Sequence, residues 1–236
     1  MTTVSFDLWD TLVRWDQPRP STPWRLERFT ELLAARHHKV PKVYLRRAVA
    51  TVSRHTVRAQ REHGRQLTSR QQITYLLTLL GVDAQELAEE MAAVHTTAAL
   101  HDQVELLPHA LEAVRYAHAV ADRVVVISNT GATTGAVHRR LLSPLGLLDL
   151  VDEVYFSDEH HLAKPHPGLF QAATHTSGDL VHVGNDWVSD VLGGMRAGGR
   201  VVWLRHLGRP VPGVPSVTTL ADLPPRLTTS TMKETA

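Results

Sequence analysis

The residues of this chain best suited to chemistry stand just after short apolar runs. Val4-Ser5-Phe6 is followed by Asp7-Leu8-Trp9-Asp10-Thr11, two carboxylates and a hydroxyl. Val124-Val125-Val126-Ile127 runs into Ser128-Asn129-Thr130-Gly131. Val154-Tyr155-Phe156 leads to Ser157-Asp158-Glu159, with Lys164-Pro165-His166-Pro167 beyond. Leu180-Val181-His182-Val183 runs into Gly184-Asn185-Asp186, and Asp190 follows. Burying a carboxylate is costly unless it is paired, hydrogen-bonded or bound to a cation. Acids at a strand terminus therefore point to a metal or to proton transfer, and an aspartate can also attack as a nucleophile. Each group also has a plainer reading. Asp7 and Asp10 could mark a strand end with an Asp-Thr turn, Ser128-Asn129 an ordinary turn, and Lys164 a surface loop. Asp186 and Asp190 could be helix N-terminal acids favoured by the helix dipole.

These groups need elements to bring them together. Strand-like runs near 3–8, 123–128, 153–157, 180–184 and 200–204 alternate with helical patterns, which argues a parallel sheet with crossover helices. Open sheets of this α/β, Rossmann-like kind bind ligands at the carboxyl ends of their strands. Leu107-Pro108 through Ala119, Gly131 to Leu145 and Trp187 to Ala197 read as the crossover helices, the last closed by Gly198-Gly199. The fifth run, Val201 to Leu204, has no obvious chemistry after it.

Between the first two strands lie about ninety residues, far more than an ordinary crossover. Leu26, Phe29, Leu32 and Leu33 recur at helical spacing, as do Ile73, Leu76, Leu77 and Leu80, and then Leu87, Met91 and Val94. The expected organisation is a core of residues 1–13 and 106–208, a helical insertion over 14–105, and a C-terminal segment over 209–236. That last segment should hold a short helix near 220–227 and then a disordered tail.

Composition narrows the function classes. With 236 residues, the chain can form one large α/β domain or a core with an insert. A formal net charge of +1 gives no global bias toward nucleic acid or membrane. No cysteine is present, so there is no disulfide framework and no thiol nucleophile. Asp7 and Asp10 interrupt what would be the apolar core of a signal peptide, and no apolar run suffices for a membrane span. The expectation is a soluble cytoplasmic protein, monomer or homodimer, without a nucleic-acid or membrane partner.

Taken in order, the four motifs resemble those of the haloacid dehalogenase-like (HAD) hydrolase superfamily, most of whose members are phosphatases. Phe6-Asp7-Leu8-Trp9-Asp10-Thr11-Leu12 is similar to its first motif, Ser128-Asn129 to the second, Lys164-Pro165 to the third and Gly184 through Asp190 to the fourth. The resemblance implies a helical cap at the position of the insertion. It also implies an aspartyl intermediate on Asp7, with Lys164 offsetting charge. Thr11, Ser128, Asn129 and Lys164 would hold substrate. Mg2+ would be bound by Asp7, the carbonyl of Trp9 and Asp190, with Asn185 or Asp186 assisting.

Two departures bear on the chemistry. Trp9 stands where the family usually has its second acid, the general acid, and Asp10 lies one residue later. Asn185 stands where the fourth motif usually has its first acid. For leaving-group protonation Asp10 is the nearest candidate, and His37, His38 or His55 are looser ones. The implied activity is a Mg-dependent phosphatase acting on a small phosphorylated metabolite. The alternatives are a metal-free hydrolase of 2-haloacids, whose branch carries an aromatic at the Trp9 position, and a non-catalytic binding protein of the same fold.

The insertion carries one charge bias. Between Arg36 and Arg70 it holds many basic residues, Arg46, Arg54, Arg58 and Arg61 among them, against Glu62 alone. This stretch is either a solvated helix face or an electropositive lid for a small anionic substrate.

Overall fold

The computed structural model of the chain describes residues 1–84, 86–174 and 179–228. Strand β1 (Thr2–Phe6) lies near the centre of a six-stranded parallel sheet. Its companions are β4 (Arg123–Ser128), β5 (Glu153–Phe156), β6 (Asp179–Gly184), β7 (Arg200–Leu204) and the short β8 (Ser216–Val217). The order is β5-β4-β1-β6-β7-β8. The chain builds to one side of β1 through β4 and β5, then crosses to the other side with β6. That reversal opens a crevice at the carboxyl ends of β4, β1 and β6, where open α/β sheets take ligands. Register fixes what meets there: Phe6 pairs with Val126 on one side and Val183 on the other. Asp7 continues the ladder by donating its backbone N–H to the Val183 carbonyl at 2.8 Å.

Apolar residues on alternate strand positions bury both faces of the sheet, as a parallel sheet requires. Val4, Phe6, Val124, Val126, Val181 and Val183 pack on one face against α5 (Ala110–Val120) and α10 (Pro224–Thr228). Val125 and Ile127 pack on the other against Leu169, Phe170 and Ala173 of α8 (Pro167–Thr174).

Between β1 and β4 the chain leaves the sheet through β2 (Val13–Trp15) and returns through β3 (Val104–Leu106). These pair antiparallel, Val13 with Leu106 and Trp15 with Val104, as a two-stranded ribbon. Four helices lie between them: α1 (Ser21–Ala35), α2 (Lys42–His63), α3 (Ser69–Leu80) and α4 (Leu87–Thr97). Helix α3 starts at a reciprocal cap, in which the Thr68 side chain accepts from the Gln71 N–H and the Gln71 side chain accepts from the Thr68 N–H. The helices share a separate apolar cluster of Phe29, Leu33, Leu45, Val52, Ile73, Leu76, Leu87 and Met91.

The longest helix, α2, carries the basic stretch that contains Arg46, Arg54, Arg58 and Arg61. It buries just Leu45, Ala48, Val52, Thr56, Ala59 and Gln60, so its apolar signal is thin. It ends at Gly64, φ 61°, where a Cβ would also collide with the His166 ring.

The expected helix over 131–145 is shorter. A loop runs to Thr134, helix α6 spans Gly135–Leu142, and a 3₁₀ turn follows over Ser143–Leu145. The four-residue α7 (Ser157–His160) follows β5. The expected helix over 187–197 is a π-helical turn over Trp187–Leu192 continued by α9 (Gly193–Arg196). A 3₁₀ turn at Leu220–Asp222 and α10 answer to the expected C-terminal helix, and the tail after Thr228 lies outside the described residues. Among the described residues, no helix is long and apolar enough to cross a membrane.

Two buried histidines should make this fold less stable in acid. His95 of α4 meets the Gln72 side chain at 3.2 Å through Nε2, and its Nδ1 has no partner among the described residues. His138 of α6 is 2% exposed, and its Nδ1 is likewise unpartnered. Burial lowers the first to about 3, helped by Arg25, and the second to about 4, helped by Arg139. Between these values and the ordinary 6.5, the unfolded chain binds protons that the native state refuses, so stability falls as pH falls. The full effect is about 3–5 kcal/mol per histidine. Urea midpoints should drop more steeply from pH 7 to pH 4.5 in the native protein than in a His95→Gln/His138→Gln variant. Equal slopes would refute the assignment.

Candidate active site

Asp7, Thr11, Lys164, Asn185 and Asp190 converge at the crevice. The Lys164 ammonium, 1% exposed, donates to Asp7 Oδ1 and to Asp190 Oδ1, both at 2.6 Å. Two features of the loops place it. The Asn129 side chain, just past β4, grips the lysine's backbone, its Oδ1 accepting from the Lys164 N–H at 2.7 Å and its Nδ2 donating to the Lys164 carbonyl at 2.8 Å. Asp190 is set by the π turn, in which the Asp190 and Val191 N–H groups both reach back to the Asp186 carbonyl, at 2.9 and 3.3 Å. Asp190 Oδ2 accepts from the Asp186 N–H at 2.8 Å. This packing needs Gly184, because a Cβ there would collide with the Asp190 carboxyl.

Behind Asp190 lies a residue whose role the sequence did not disclose. His182 Nε2 meets Asp190 Oδ1 at 3.3 Å, and its Nδ1 meets Ser5 Oγ at 2.8 Å. The carboxylate can only accept, so Nε2 carries the proton and Nδ1 accepts from the serine. A neutral imidazole fits its burial, which lowers the His182 pKa against the pull of Asp190. Strand register supplied the missing signal: Ser5 and His182 are polar residues directly paired on two otherwise apolar strands.

The two carboxylates are unequal. Burial raises both. At Asp190, the Lys164 charge and the His182 bond outweigh it and hold the group ionised well below the usual carboxylate range. At Asp7, burial and the Asp190 charge outweigh Lys164, so its pKa lies well above that range. Lys164 itself stays protonated: burial lowers its pKa, but Asp190 and Asp7 more than offset this.

Thr11 is fully buried, and its hydroxyl faces Asp7 Oδ2 and Asn185 Oδ1, each at 3.2 Å. One hydroxyl has one proton, so two acceptor oxygens converge with a single donor between them. This is the arrangement that a hard cation could complete. Among the described residues no group of three or more acids and histidines forms a metal cage. Mg2+ needs no such cage, since it keeps several waters and takes few protein oxygens. Asp7 and Asn185 supply oxygens of the kind it takes.

The remaining expected residues are dispersed. Asp186 is the N-cap of the π turn, its Oδ1 accepting from the Ser189 N–H at 2.7 Å, and its Oδ2 pairs with Arg61 of α2 at 2.6 Å. Those contacts engage both of its oxygens. Asp10 is exposed, at φ 56°, and lines a cavity of about 430 Å³ with Asn185 and His206. Trp9 turns the other way. It stacks on Trp15 at 4.0 Å and walls a different cavity, of about 470 Å³, between the sheet and the helices. Asn129 lines this second cavity, whereas Asp10, His37, His38 and His55 do not. Asp10 and Trp9 thus serve opposite sides of one loop. Ser128 is fully buried, and among the described residues its hydroxyl reaches only the Asn129 carbonyl, at 3.4 Å.

Comparison with known proteins adds the lineage. A family model described as haloacid dehalogenase-like hydrolase matches residues 1–198. The chain belongs to that family. No curated protein sequence matches this HAD-like hydrolase. Among solved structures, a HAD phosphatase from Thermococcus onnurineus is 18% identical, covers 97% of this chain and 98% of its own, and has a TM-score of 0.61. A 2-haloacid dehalogenase from Pseudomonas syringae pv. Tomato DC3000 is 24% identical, with coverage of 96% and 97% and the same TM-score of 0.61. The HAD-hydrolase YfnB from Bacillus subtilis, bound to magnesium, is 17% identical, with coverage of 96% and 98% and a TM-score of 0.57. At these identities the likeness establishes the shared fold.

Proposed function

We propose that this HAD-like hydrolase is a Mg-dependent phosphatase of a small phosphorylated metabolite, with Asp7 as nucleophile. The observation that carries the reading is the oxygen pair at Thr11: Asp7 Oδ2 and Asn185 Oδ1 both face its single hydroxyl proton. Charge supports it. Asp7, Asp190 and Lys164 together carry one negative charge when both acids are ionised. A phosphate brought to about 4 Å of such a charge is repelled by roughly 4 kcal/mol at an effective dielectric near 20. A bound Mg2+ would offset that repulsion and stabilise charge on the transferring group.

The chain's own residues do the rest. Lys164 and Thr11 hold the Asp7 carboxylate in place, and Asp190, buttressed by His182, holds Lys164. An Asp7 oxygen attacks phosphorus, the bond to the leaving oxygen breaks, and that oxygen takes a proton from water. Water then attacks the acyl phosphate, releasing inorganic phosphate and restoring Asp7. The four-helix insertion acts as the cap that selects the substrate, on a core of residues 1–13 and 106–208. The enzyme would work in the cytoplasm.

A second reading has its own support. Asp10 does not line the Trp9 cavity, and among the described residues no carboxylic acid does, so none is there to protonate a leaving group. Displacement of halide from a 2-haloacid by Asp7 needs no such acid. One assay separates the two. Phosphate release from a panel of phosphate monoesters should vanish with chelator and return with Mg2+. Chloride release from 2-chloropropionate that ignores chelator, with no phosphate release from any ester, would instead establish the second reading.

A further inference from the structure

We propose that the Trp9 cavity contains a second anion site, formed by Arg25 and Arg46, and that the substrate carries a second negative group besides the one that reacts. The reacting end rests on the phosphatase reading; the second site rests on the cavity itself. Three arginines, Arg19, Arg25 and Arg46, line that cavity, and among the described residues no aspartate or glutamate does.

The three are not equivalent. Arg19 is engaged: its Nε donates to Asp102 at 2.9 Å, and its guanidinium lies over the Trp15 ring at 4.3 Å. Arg25 is not. Its Nε is buried without a hydrogen-bond partner among the described residues. Burial and the neighbouring Arg19 lower its pKa to about 10, with Asp102 offsetting only part of this. Arg46 is exposed and has no ion-pair partner among the described residues, whereas Arg58 and Arg61 of the same helix are paired with Glu62 and Asp186. A buried guanidinium N–H left unmet is costly, and an anion is what would meet it.

The site's shape matches its charge. A guanidinium presents a planar fork of donors suited to a carboxylate or phosphate. Trp9 stacked on Trp15 supplies a flat apolar wall. Asn129 joins the cavity to the Lys164 loop, since its side chain bonds the Lys164 backbone. A volume of about 470 Å³ suits a small metabolite. The implied substrate is a compact phosphate ester with a carboxylate or a second phosphate at its far end.

Calorimetry with non-hydrolysable phosphonates, in the presence of Mg2+, tests this without turnover. 3-Phosphonopropionate or propane-1,3-diphosphonate should bind at least about tenfold more tightly than methylphosphonate, the gain expected from a charge-assisted contact. Whichever of the two gains more identifies the second group. The advantage should vanish in Arg46→Ala, an exposed position, and in Arg25→Gln, while methylphosphonate binding is unchanged. Equal affinities in the native protein, or an advantage kept in both variants, would overturn the second site. Should no phosphonate bind, glutarate is compared with butyrate. An arginine-dependent preference for glutarate then keeps the second site and removes the phosphatase reading, and no binding of any anion overturns the second site as well.

Discussion

Lys164→Met should lose about 3–5 kcal/mol of folding stability along with all measurable turnover. Removing one partner of a buried ion pair leaves the other charge uncompensated, and losses of that size follow. Here the ammonium serves two carboxylates, Asp7 and Asp190, inside an interior where it is itself 1% exposed. Methionine fills much of the same volume, so the loss reports charge and not a cavity. Part of it should be relieved at low pH, because protonating Asp7 removes one of the stranded charges. A second change distinguishes the roles. Adding Asp190→Asn should restore some of the lost stability, since one carboxylate then no longer needs a partner, yet should restore no activity. Urea titrations of the single and double variants, with phosphate release assayed in parallel, check both parts. A Lys164→Met protein as stable as the native chain would mean that the buried triad is not charged as described.

Legibility in the sequence followed the strength of the local signal. The five strands of four or more residues are apolar runs ended by polar residues, and all five were readable. The ribbon of β2 and β3 was not, because Val13–Trp15 and Val104–Leu106 have three residues each and find one another only across the whole insertion. Helix α2 was half visible: a helix that buries six of its residues shows little apolar periodicity. At the site, Asp7, Lys164 and Asp190 were legible because an acid or an amine after a buried strand demands compensation. Asp186 looked the same in sequence, but its side chain is spent on capping and on Arg61. Only the path of the backbone separates the two acids, and spacing alone does not contain it. For Asn129 the sequence pointed to the backbone amide as a substrate contact. The clamp its side chain puts on the Lys164 loop, a partner 35 residues away, was not legible. Arg25, an ordinary arginine in an amphipathic helix, carried no signal until the cavity showed what it lines.

Asp7→Asn should abolish turnover and at the same time make the protein more stable above neutral pH. The first effect is the loss of the attacking oxygen, since an amide cannot form the acyl intermediate. The second follows from the environment of the native side chain. Burial and the Asp190 charge hold the Asp7 pKa above its unfolded value of 3.8. The native state therefore keeps a proton that the unfolded chain gives up. Stability from this group is present below the unfolded pKa and falls as pH rises toward the folded one. Asparagine keeps the shape and has no charge to strand, so it escapes that loss. The advantage of the variant should grow with pH from about 4 upward and reach on the order of 1–3 kcal/mol at pH 8. Chelator must be present in these melts, because a cation bound at Asp7 and Asn185 would stabilise the native protein and mask the difference. Repeating them with Mg2+ then gives a second reading of the same site. The native melting temperature should rise with the metal and that of Asp7→Asn should hardly move. A variant that is less stable than the native chain at every pH would show that Asp7 is held for structure, and would remove it as the nucleophile built against the fold's own preference.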